Sequence, residues 1–175
     1  MKQWIWEARA HRVMAMYEPN QATATKNLDE ADSLLEQASH SVSQLDLNEE
    51  KAHVLRVRVE RALAIGDRAA AEKLVAKLEK LASQGSGINT QRTFHGAAGT
   101  LLFDQKRYSD AISELGEDAA NPLSMKLMIR AYHQTGDSEQ VAIFSKKLVD
   151  WKVPSVEEAL ASDSSVQRRA LALKP

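Results

Sequence analysis

Apolar residues in this chain recur three or four apart, the spacing of one face of a helix, and the pattern breaks at a few prolines, glycines and asparagines. From Gln3 to Tyr17 the positions Trp4, Ile5, Ala8, Val13 and Tyr17 keep that spacing until Pro19 stops it. A second helix opens between Asn20 and Thr25, and its face of Leu28, Ala31, Leu34, Leu35, Ala38 and Val42 carries on to Leu45. Asn48 is the expected N-cap of a third. Its Val54, Leu55, Val57, Val59, Ala62, Leu63 and Ile65 cover more than one face, which predicts neighbours on several sides, and Gly66 ends it. The fourth helix, Ala69 to about Ala82, has a narrow stripe of Leu74, Val75, Leu78 and Leu81, with Glu72, Lys73, Lys77, Glu79 and Lys80 facing water.

SQGSG, Ser83 to Gly87, predicts an exposed loop. A fifth helix, about Asn89 to Asp104, holds Gly96, Ala97, Ala98 and Gly99 in its middle. Each interior glycine costs roughly 0.5 to 1 kcal/mol against alanine, so another backbone must approach closely there. FDQKRYSDAISEL, Phe103 to Leu115, then reads as a helical hairpin: Tyr108 follows the turn, Ala111 is small where the two axes approach, and Leu115 returns to the same face. Asn121 and Pro122 cap and open a seventh helix through Leu123, Leu127, Ala131 and Tyr132 to Gly136. Val141, Phe144 and Leu148 mark an eighth. Pro154 breaks the chain, Ser155 with Glu158 forms a capping box, and short helices at Val156 to Leu160 and Val166 to Leu173 are expected as a terminal cover.

The second helices of these hairpins align. Leu28, Ala31, Leu34 and Leu35 correspond to Arg68, Ala71, Leu74 and Val75, and then to Tyr108, Ala111, Glu114 and Leu115, so the alanines recur every 40 residues. Gly136, Asp137, Val141 and Phe144 repeat the turn about 30 residues further on. The expectation is an all-α chain forming a single domain over 1–175, with hairpins at about 3–45, 48–82, 89–117 and 122–150 and capping helices in 155–173. Hydrophobic residues make up 43% of the chain, enough for a continuous core.

From about Arg92 to Leu148 the residues resemble the tetratricopeptide repeat (TPR) family. Gly99 stands at the family's small position on the first helix, Leu102 one turn later, Tyr108 after the turn, and Ala111 and Leu115 on the second helix. Pro122 matches the proline that opens a following repeat, and Tyr132, Gly136 and Asp137 match the end of the next first helix. Asn48 to Leu81 is similar through Gly66, Asp67, Ala71 and Leu78, while Leu55, His95 and Met125 replace the family's early aromatic. The resemblance implies a right-handed superhelical stack of antiparallel hairpins whose first helices line a concave groove. It places His53, Arg56, Glu60 and Leu63 on that groove, then Gly96, Thr100 and Phe103, then Lys126, Arg130 and His133. Such a groove is basic at one end, which suits an acidic segment or a C-terminal carboxylate.

Charge and chemistry narrow the rest. A formal net charge of -1 removes the broad attraction that nucleic acid or anionic membrane exploits, so neither is an expected partner. With no cysteine there is no disulfide framework and no thiolate metal site. His11, His40, His53, His95 and His133 lack metal-ligand spacing, and no metal or cofactor is expected. GSG at Gly85 to Gly87 follows a helix, where a phosphate loop would follow a strand. Glu49 with Glu50 and Glu157 with Glu158 read as carboxylates at helix starts. Ser162 to Ser165 form no nucleophile elbow. No catalytic residue is expected. In MKQWIWEARAHR, Glu7, Arg9 and Arg12 interrupt the apolar run too early for a secretory leader, and nothing approaches the roughly 20 apolar residues of a membrane span, so a soluble, cytoplasmic protein is the expectation. The expected role is a non-catalytic interaction module. The alternative is a structural segment of a larger assembly that docks, or self-associates, through terminal faces around Trp4 and Trp6.

Overall fold

Three helices end in the same turn, and that turn sets how the chain folds back on itself. Beyond Ala64, Asp104 and Thr135, the residues Gly66, Lys106 and Gly136 take left-handed backbone with φ of 77°, 62° and 79°. Each turn is closed by two bonds to the preceding helix. The Asp67 N–H reaches Ala62 O at 2.9 Å, Arg107 N–H reaches Leu102 O at 3.0 Å, and Asp137 N–H reaches Tyr132 O at 3.0 Å. The amides of Gly66, Lys106 and Gly136 donate to Leu63 O, Phe103 O and His133 O. Two otherwise orphaned carbonyls are thereby satisfied at each helix end. Asp67 and Asp137 then cap the next helix by accepting from Ala70 N and Gln140 N at 2.9 and 3.0 Å. The middle turn is built differently: Lys106 stands where the others have glycine, at a cost of about 1 kcal/mol, and Arg107 makes no side-chain cap, bonding Asp110 at 2.7 Å instead.

The computed structural model describes residues 3–85 and 87–151. Among them all regular structure is helical: α1 Gln3–Tyr17, α2 Gln21–Ala38, α3 Gln44–Ala64, α4 Arg68–Ser83, α5 Gly87–Asp104, α6 Tyr108–Glu117, α7 Pro122–Thr135 and α8 Ser138–Val149. The expected helices at Val156 to Leu160 and Val166 to Leu173, and the Ser155–Glu158 capping box, lie outside the described residues. None of the described helices is long and apolar enough to cross a membrane. The SQGSG loop is shorter than expected, since Ser83 closes α4 and Gly87 opens α5.

The boundary between α2 and α3 differs from the expectation. The apolar spacing runs to Leu45, but α2 stops at Ala38, where the hydroxyls of Ser39 and Ser41 donate to Glu36 O and Ala38 O at 2.6 and 3.0 Å. Ser43, not Asn48, caps α3 by accepting from Asp46 N at 3.1 Å. Asn48 lies inside the helix, buried, accepting from Gln44 Nε2 at 2.6 Å.

The chain forms two compact units, Met1–Ala97 and Ala98–Pro175. In the first, α1 packs on α2 and α3, α2 on α3, and α3 on α4, so α3 does have neighbours on several sides. Its core joins Ile5, Ala8 and Ala15 of α1 to Leu28, Leu34 and Leu35 of α2 and Leu47, Val54 and Val57 of α3. In the second, α7 packs on both α6 and α8. Ala111, Leu115, Met125, Met128, Ile129, Phe144 and Leu148 form its core, with Leu102, Phe103 and Tyr132 packed against it.

Ala31, Ala71 and Ala111 are all fully buried, but they do not hold one place in their helices. Counted from the cap, the residue equivalent to Ala71 and Ala111 is Ala24, also fully buried. The amides of Ala24, Ala71, Ala111 and Val141 each return to the cap carbonyl, at Asn20, Asp67, Arg107 and Asp137, at 2.9 to 3.1 Å. Ala31 sits two turns deeper into α2. The position four past the cap is alanine in α2, α4 and α6 and valine in α8, and these positions are not evenly spaced.

Candidate functional site

In the second unit, α5 presents Phe103, half-buried, against two neighbours. Tyr108 meets its ring edge-on with centroids 5.4 Å apart, and the Arg130 guanidinium of α7 lies over the face at 4.6 Å from the centroid. The ring's negative face attracts the cation. Lys126, Arg130 and His133 are four and three residues apart on α7, so they share one face; Arg130 and His133 are exposed and Lys126 half-buried. Thr100, one turn before Phe103 on α5, is half-buried as well. Arg130 makes no ion pair among the described residues. Here a planar cation and an aromatic ring meet beside two further basic groups, an arrangement that can take a carboxylate at its polar edge and an apolar side chain beside it.

The expected groove residues of the first unit are arranged otherwise. Arg56 is not on an open wall: it is buried, 3% exposed, because α3 is packed by α1, α2 and α4, and its Nε donates to Glu60 at 3.3 Å. His53, Glu60 and Leu63 are half-buried and Gly96 is buried. What occupies this place is an internal cluster of charge. Glu50 of α3, 2% exposed, accepts from Arg9 of α1 and faces Arg12, also of α1, at 3.7 Å. Arg9 also lies over the Trp6 ring at 4.9 Å. Glu50 therefore does not serve as a carboxylate at a helix start; α3 begins at Gln44, almost two turns earlier. Glu49 points elsewhere and accepts from Asn89 at 3.1 Å. The signal for Glu50 is its place in the stripe Leu47, Glu50, Val54, Val57, where a carboxylate among apolar residues requires a cationic partner.

The cluster holds His53 neutral. Burial is the largest cause, followed by the positive charge of Arg12, Arg56 and Arg9, and together they push its pKa well below the usual 6.5. As pH falls below about 6.5 the unfolded chain takes up a proton that the folded chain refuses, so folding stability is expected to drop. The slope is at most about 1.4 kcal/mol per pH unit for one proton, and the loss is complete below the folded-state pKa. Urea unfolding at pH 5, 6 and 7 checks this: the difference between wild type and His53→Gln should shrink or reverse toward pH 5, and parallel profiles would refute it.

Among the described residues no group of three or more histidine, aspartate and glutamate side chains converges as metal ligands do. Comparison with protein-family models, with curated proteins and with solved structures finds no match.

Proposed function

We propose that this chain is a non-catalytic protein-interaction module of stacked, TPR-like hairpins, and that the Phe103, Lys126, Arg130 and His133 face receives an acidic peptide segment or a C-terminal carboxylate. The recurring turn supports the hairpin reading, with its left-handed residue and, after two of the three turns, an alanine four past the cap. The observation that carries the binding role is the exposed Arg130 guanidinium stacked on Phe103. A cation already fixed by a ring loses less rotamer freedom on binding, and its planar fork suits a carboxylate.

An array of acidic peptides, each with a free and an amidated C-terminus, tests this. Binders are expected among them, and Lys126→Glu with Arg130→Glu should weaken at least one of them by about tenfold or more, since like charges then face the ligand. Unchanged affinity for all binders in the double variant would end the proposal. A preference for free over amidated ends would assign the carboxylate specifically.

A second reading, docking of a neighbouring subunit or further repeats on the first helix, is favoured by the exposure of Trp6 at 61%, Met14 at 48% and Tyr17 at 48% on α1. Sedimentation over a concentration series decides it. A mass that rises with concentration and returns to monomer in Trp6→Glu is expected on this reading, and a monomer throughout removes self-association.

A further inference from the structure

The first unit carries a cleft of about 360 Å³ that plays no part in the face described above, lined by Glu36 of α2, Lys51 and Leu55 of α3, and Lys77, Lys80 and Leu81 of α4. We infer that this cleft is a second binding site, for a peptide segment that alternates carboxylates with apolar side chains. Asp32 and Gln84 complete the lining.

Three features point there. Lys51, Lys77 and Lys80 come from two helices to one concavity, and none of them makes an ion pair among the described residues. Three lysines brought together by two helices raise the local potential on their side of the cleft and draw an anion. The acidic wall is weaker than its residues imply, because Asp32 is taken up by Arg58 at 2.8 Å, which also holds Asp29 at 2.8 Å. Those two carboxylates raise the arginine's pKa against the opposing effect of burial. Glu36 remains as the one carboxylate of the lining without a partner among the described residues, and it comes from α2, whereas Lys77 and Lys80 come from α4. An anionic ligand is thereby turned toward Lys77 and Lys80.

The floor decides the class of anion. Leu55 is buried and Leu81 half-buried, and both line the cleft with the charged residues. A bare phosphate has nothing to set against them. An extended acidic segment does, since its side chains alternate between two faces, and lysine stems cover apolar surface while their ammonium groups reach the ligand. The sequence alone reads Lys77 and Lys80 as a water-facing stripe; Lys51 and the leucine floor come to them only through the packing of α3 on α4.

The test uses the full chain carrying Lys126→Glu and Arg130→Glu, so that the face on α7 does not contribute and the two sites fail separately. The probe is a peptide of alternating glutamate and leucine with both termini blocked, titrated by calorimetry beside its glutamine counterpart and inorganic pyrophosphate. Saturable binding is expected for the glutamate peptide only, weakening as salt rises, with a dissociation constant raised at least about tenfold by Lys77→Glu with Lys80→Glu. Both lysines are exposed, and circular dichroism verifies that the variant keeps its helices. Affinity unchanged by that variant, absence of saturation at millimolar peptide, or equal binding of pyrophosphate or the glutamine peptide would each overturn the assignment.

Discussion

Replacing Glu50 by alanine is expected to cost about 3 to 5 kcal/mol of folding stability, the largest effect of any single exposed or buried charge considered in this chain. The carboxylate is 2% exposed and faces two guanidiniums, one of them, Arg12, only 5% exposed. Removing it takes the counter-charge from the buried Arg12 beside Arg56, 3% exposed, and a histidine kept neutral by burial and by the same positive charges. The cost is the desolvation of cations without this counter-charge, not the loss of one contact. Glu50→Gln, which keeps the shape and one acceptor, should lose less. The comparison is Asp110→Ala, which removes the Arg107–Asp110 pair at 2.7 Å; both partners are more than half exposed, and the effect should stay below about 1 kcal/mol. Urea unfolding followed by tryptophan fluorescence measures all three. A Glu50→Ala midpoint within about 1 kcal/mol of wild type would mean that the cluster is solvated in solution.

The contrast between those two ion pairs shows what the sequence carries and what it does not. The glycines at Gly66 and Gly136 are legible as helix ends because left-handed backbone is a local requirement, and α7 starts at the Asn121–Pro122 pair expected to cap and open it, whereas α4 starts at Arg68, one residue before the expected Ala69. The end of α2 is harder. Val42 and Leu45 keep the helical spacing, and only the serines of ASHSVS mark a place where hydroxyls compete for the backbone. Glu50 and Arg56 are misread for a different reason: what surrounds α3 is set by the packing of α1, α2 and α4, and no local rule reports it. The same holds for Ala31. Its interval to Ala71 equals that from Ala71 to Ala111, yet the turn-bound position in α2 belongs to Ala24. In the candidate site, the spacing of Lys126, Arg130 and His133 on one face of α7 is local, whereas the stacking of Arg130 on Phe103 needs α5 and α7 to meet.

A leucine at position 99 is expected to melt the second unit well below wild type, by about 3 kcal/mol or more of stability, and this substitution bears directly on the hairpin from α5 to α6. A Cβ built on Gly99 lies 2.6 Å from Leu115 Cγ, 2.9 Å from its Cδ2 and 3.1 Å from its backbone nitrogen. Leu115 is fully buried in the core that also holds Phe144 and Leu148, so it has little room to withdraw, and the backbone nitrogen has less. Alanine is the informative intermediate: it gains up to about 1 kcal/mol of helix propensity over glycine, against about 1 to 3 kcal/mol for overpacking, and a small net loss is expected. Gly116→Ala is the control of opposite sign. It removes a glycine from α6 where an added Cβ meets nothing within 4 Å, and should stabilise by up to about 1 kcal/mol. Each kcal/mol corresponds to about 2 to 4 °C at this chain length, so thermal unfolding by circular dichroism separates the three variants. If Gly99→Leu melts no lower than wild type, α5 and α6 do not approach as closely as described, and Phe103 loses the neighbour that holds it in place for Arg130.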